Sequence, residues 1–249
     1  MGQLKTKIRP AGGFSHFIHI ILTILLPIVI FILVRINFAE LAVVVLLLSK
    51  WRMFAVRPRH WLANIRANAV DMLVGISIII FMVHTDSQLL QIIWAAVYAS
   101  WLLLLKPSAT LLGISLQALV AQTFGLMAIF LAWPASPLYV LVLATWVVCY
   151  VSARHFFTSF DEPYTRFLTD VWAYFGAALV WLLGHWLLFY QVVAQPTLLI
   201  TVIGFGLATI YYLDRTDRLS DLVRRQFVFI MIAIIIVVLV FSDWGDKAI

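Results

Sequence analysis

Charge is scarce in this sequence. Of its 249 residues, 11% are Asp, Glu, Lys or Arg and 64% are hydrophobic. Soluble domains average about 25% charged and about 45–50% apolar. A water-facing surface needs polar groups that this chain does not have. A soluble globular domain is therefore excluded, and lipid is the solvent for most of the surface. Cysteine is scarcer still. Cys149 is the one thiol, so no disulfide forms within the chain and no cysteine-based metal site exists. No phosphate loop, HExxH, G-x-S-x-G or dinucleotide fingerprint is present. Gly113-Ile-Ser-Leu116 lacks the second glycine expected around a rhomboid-type serine. No lysine lies inside an apolar run, which argues against a retinal Schiff base. No cofactor and no bound metal are expected.

What is present is a series of long apolar runs. Crossing the hydrocarbon takes about 20 apolar residues per helix. Lipid also forces each segment to satisfy its own backbone hydrogen bonds, so the spans should be helices. The clear runs cover 14–34, 68–84, 89–105, 108–132, 168–190 and 196–213, and shorter ones cover 36–49, 138–153 and 227–241. The first is too long for a signal-peptide core and reads as a permanent helix. If all nine cross, with the N-terminus inside, every Lys and Arg except Arg35 and Lys247 falls on the inner side. That is the asymmetry of the positive-inside rule. Dropping the run at 36–49 destroys it. The expected fold is therefore all-α: a polytopic bundle of about nine spans, N-terminus cytoplasmic and C-terminus outside. It forms a single integral-membrane domain over 1–249, in the cytoplasmic membrane. The net charge of +6 is explained by topology, and no nucleic-acid partner is expected.

Two further sequence features bear on packing. Ala121/Gly125 and Gly204/Ala208 are small-xxx-small pairs, which let helices approach closely. Ser159-Phe-Asp-Glu162 is a capping-box pattern ahead of the seventh run. Trp172 falls near an expected interface, while Trp146 and Trp181 fall mid-span and read as packing residues.

Ionisable groups in membrane helices are costly, so each is a functional candidate by default. His60, Asn64, Asn68 and Asp71 fall at i, i+4, i+8 and i+11, one face at the inner end of the third span, with Gly75 a turn deeper. Asp170, Tyr174, Ala177, Trp181 and His185 form a second stripe along the seventh span. Both are candidates for a polar path, with Trp181 as a gate. The plainer reading of each is a helix end or a helix face satisfied by its neighbours. The two regions are alike: Arg59-His60 precedes Asp71, Gly75 and His84, and Arg154-His155 precedes Asp170, Gly176 and His185. A weak parallel repeat, 14–106 and 108–215 with a last helix at 220–241, fits that likeness. His16 and His19 share a face of the first span, and Gln117 and Gln122 are mid-span amides suited to bonds across helices.

Three functions are open. The first is a small-solute or ion transporter or channel using the polar stripes. The second is a non-catalytic subunit or assembly protein, with a membrane-protein partner or a second copy of itself. The third is an enzyme acting on a lipid-linked substrate at the cytoplasmic face, where Arg59, His60, Arg154, His155, Asp161 and Glu162 would converge. The basic inner segments also suit anionic lipid headgroups.

Overall fold

The computed structural model describes residues 14–51, 54–55, 57–160, 162–184, 189–190 and 193–243. Nine α-helices form among them: α1 (Phe14–Arg35), α2 (Ala39–Leu48), α3 (Trp61–Val83), α4 (Gln88–Ser100), α5 (Leu111–Ala132), α6 (Leu138–Thr158), α7 (Thr165–Leu183), α8 (Gln195–Arg215) and α9 (Asp221–Phe241). A 3-10 turn, Pro58–His60, leads into α3, and a π turn, Trp101–Leu105, extends α4. A two-residue antiparallel ladder, Phe189–Tyr190 with Val193–Ala194, precedes α8. The chain is an all-α helical bundle.

Seven helices are long and apolar enough to cross a membrane: α3 with its leading turn, α4 with its π turn, and α5 to α9. Two of the short apolar runs become full-length helices. α6 continues through Ser152 to Thr158, and α9 starts early, at Asp221. Polar residues at these ends extend the helix without extending the apolar run. α1, with 22 residues, is of similar length. α2 is the exception to nine full crossings. Its 10 residues rise about 15 Å, half the hydrocarbon thickness.

The turns show why the helices stop where they do. After α1 the N–H of Phe38 donates to the carbonyl of Leu33, and that of Asn37 to Val34. This pair of bonds is a Schellman motif, which needs a left-handed residue just past the helix. Asn37 supplies it with φ 61°. Asp217 does the same after α8, with φ 53° and the N–H of Arg218 donating to Leu213. Thr110 and Ser220 cap α5 and α9 with their side-chain oxygens. The capping box expected at Ser159 and Glu162 does not form. Ser159 donates to the carbonyl of His155, and Tyr164 stands at the N-cap of α7.

The core has two lobes that share α3 and α5. One lobe gathers Ile30, Leu46, Val74, Ile78, Met82, Tyr98 and Trp101 from α1 to α4 and the π turn. The other gathers Leu126, Phe130, Leu141, Val148, Phe156, Trp172 and Ile200 from α5 to α8. Small residues set the helix spacing, as the small-xxx-small pairs require. A Cβ on Gly204 would come within 2.6 Å of the Trp172 ring, and one on Gly125 within 2.8 Å of Val148. α9 packs on α8 and buries Val238 from its own length.

Candidate functional site

Among the described residues the buried acidic side chain is that of Asp71. Its carboxylate is 6% exposed. Oδ2 accepts a hydrogen bond from Lys50 Nζ and another, at 2.6 Å, from Lys106 Nζ. Oδ1 accepts one from Trp101 Nε1 at 3.0 Å. Each partner arrives from a different place. Lys50 stands two residues past α2, Trp101 opens the π turn, and Lys106 follows it. The shortness of α2 now has a physical account. The helix stops where its first following cation meets a carboxylate midway along α3.

Two cations meeting one anion leave a positive charge in excess. Burial lowers the pKa of Lys50 from its ordinary value, and the Asp71 carboxylate beside it opposes that. Lys106 is 40% exposed, so the cluster reaches the surface through this residue. On the other side stands Tyr98, fully buried, with no hydrogen-bond partner for its hydroxyl among the described residues. Gly75 lets it approach: a Cβ there would lie 3.0 Å from Tyr98 Oη and 2.7 Å from a Leu46 methyl.

The rest of the first stripe leads up to this cluster from the surface. His60 is exposed and accepts a bond from Arg59 Nε at 2.9 Å. Asn64 and Asn68 are half-buried, and Asn68 donates to the carbonyl of Asn64. The stripe therefore grades from open to buried along one helix face.

The second stripe is placed differently. Asp170 is exposed, Tyr174 is 72% exposed and Trp181 57% exposed. The face of α7 turned to the core carries Thr169, Trp172, Ala173, Gly176, Ala177 and Val180. Asp170, Tyr174 and Trp181 thus point away from the core, and Ala177 alone of the stripe's described members is buried. Trp172 is the packing tryptophan, and its Nε1 donates to Gln122 Oε1 at 2.9 Å. Trp181 and Trp146 are exposed. His185 and Asp161 lie outside the described residues, as do the side chains of His16 and His19.

The cytoplasmic-face candidates divide. Arg154 and His155 line a cleft between α3 and α6 together with Arg66. Arg59 stays with His60. Glu162 accepts a bond from Tyr211 at 2.9 Å and pairs with Arg215 at 3.4 Å, and it does not line the cleft. His155 is fixed from behind. The Gln117 amide nitrogen donates to the carbonyls of Leu105 and Ser108 at 2.6 and 3.0 Å. Its oxygen is thereby left for His155 Nε2, 2.9 Å away, which must carry the proton. Among the described residues no three His, Cys, Asp or Glu side chains gather as a metal site would require.

Fold and composition together define a multi-pass helical membrane protein. The chain matches no protein-family model, no curated protein and no solved structure.

Proposed function

We propose that this chain is a transporter-like protein that handles a small anionic solute at the Lys50–Asp71–Lys106 cluster. The observation that carries the reading is the sharing of one buried carboxylate oxygen by two ammonium groups. Removing charges from water costs several kcal/mol per ion unless pairing returns it. Here the pairing leaves one cation unmatched, and a solute anion is the natural complement. Asp71 holds the two lysines together in the solute's absence. An anion arriving past Lys106 competes for the ammonium groups and loosens the junction of α2, α3 and the π turn. Irregular helical turns of the π type often mark functional positions, and Trp101–Leu105 forms one at this junction.

The test is flux through proteoliposomes, with chloride and a set of small monocarboxylates as probes. The wild type should carry at least one of them above protein-free vesicles. Lys106→Gln should raise the half-saturating concentration more than it lowers the maximal rate. Absence of flux for every anion, from protein shown to be folded and inserted, would count against the reading.

A second reading is that of a membrane subunit, favoured by α9. The helix lies on α8 with most of its apolar surface uncovered by the described residues. Cross-linking through a cysteine placed at Ile230 in native membranes checks it: a specific adduct with a second copy or another membrane protein supports the subunit reading. The catalytic reading has less support, because Glu162 is drawn to Tyr211 and Arg215 rather than to the cleft that His155 lines.

A further inference from the structure

The cleft between the N-terminal part of α3 and the C-terminal end of α6 is separate from the Asp71 cluster. Its volume is about 330 Å³, inside the range of about 300–1,000 Å³ common for small-ligand sites. Ala63 and Ala67, one turn apart on α3, keep its floor open, and Val151 adds an apolar wall. Arg66 enters from α3 and Arg154 from α6. Among the described residues, neither arginine has an ion-pair partner and no carboxylate lines the cleft.

Arg154 is held in place before any ligand arrives. Its Nη1 donates to Tyr150 Oη at 2.7 Å, and its guanidinium lies 5.9 Å from the centre of that ring. A guanidinium fixed in this way presents its remaining N–H groups in the fork that matches phosphate oxygens. The cleft also lies at the basic ends of two helices long and apolar enough to cross a membrane, and anionic lipid headgroups are attracted to basic segments at such ends.

We propose that this cleft binds the phosphate of an anionic phospholipid headgroup, held between Arg66 and Arg154, with Tyr150 as the residue that positions Arg154. The uncharged small residues of the floor leave room for the glycerol portion. Free phosphate esters share the chemistry, so the experiment separates the two sources.

Purified full-length protein in a neutral detergent is titrated with phosphatidylglycerol, phosphatidylcholine, glycerol 3-phosphate and inorganic phosphate. Bound species are read by native mass spectrometry and by thermal shift. Phosphatidylglycerol should bind in preference to phosphatidylcholine and to both soluble phosphates. The double variant Arg66→Gln/Arg154→Gln should weaken phosphatidylglycerol at least tenfold. Tyr150→Phe, which keeps the ring and removes the hydroxyl, should weaken it severalfold and serves if the double variant does not fold. Arg59→Gln, on the exposed turn before α3, should change it less than twofold. Unchanged lipid binding in both cleft variants would overturn the site. Soluble phosphates binding as tightly as the lipid would overturn the assignment to a headgroup.

Discussion

Asp71 and Asp170 occupy matching places in the sequence and opposite places in the molecule. Each follows an Arg-His pair and precedes a glycine, in the third and seventh apolar segments. Asp71 is buried, and three side chains from α2's far end and the π turn close on it. Asp170 faces outward from α7 with no ion pair among those found. The glycines differ too. Gly75 admits Leu46 and Tyr98, whereas Gly176 admits Cys149. A carboxylate in an apolar helix is thus not a site by itself. What sets Asp71 apart as a candidate is the arrival of two cations from neighbouring helix ends.

The comparison breaks most readily at Asp71. Asp71→Asn leaves two ammonium groups without their counter-ion, and stripping one partner from a buried pair costs about 3–5 kcal/mol. Asp170→Asn should change stability by no more than about 0.5 kcal/mol, as exposed substitutions do. Unfolding in mixed micelles measures both. Lys50→Met combined with Asp71→Asn should cost clearly less than the sum of the single changes, with a coupling of about 1–3 kcal/mol. Additivity would mean that the contact carries no energy.

A smaller effect is expected where α7 meets α8. Gly204→Ala forces a methyl against Trp172, and overpacking of this kind costs about 1–3 kcal/mol. Gln117→Leu removes the amide that joins His155 to the turn after the π segment. It should cost about 1–2 kcal/mol through the carbonyls and imidazole left unpaired. The smallest effect belongs to the outward stripe: Tyr174→Leu should be neutral within about 0.5 kcal/mol in the same assay.

Much of the fold was legible in the sequence. Apolar runs locate the helices, because hydrocarbon thickness and backbone satisfaction leave few alternatives. Helix ends were less legible, since the polar tails of α6 and α9 extend the helix beyond the apolar run. The site was legible in part. Asp71 stood out, but its partners did not, because Lys50 and Lys106 read as inner-face topology charges. A signal was available: both lysines directly follow the apolar runs that flank the helix of Asp71 in sequence, 36–49 before it and 89–105 after it. The stripe on α7 shows the limit of periodicity, which defines a face without saying where it points. Small residues mark the buried face of a membrane helix better: on α7 Ala173, Gly176 and Ala177 lie on it, with Ala178 the exposed exception.

The most direct test compares the two aspartates in one preparation. Asp71→Asn and Asp170→Asn proteins are reconstituted side by side, and anion flux and resistance to unfolding are recorded for each. Loss of both properties at position 71, with both retained at position 170, is the expected result. Equal behaviour of the two variants would contradict the proposal that the buried lysine–aspartate cluster is the working centre of this protein.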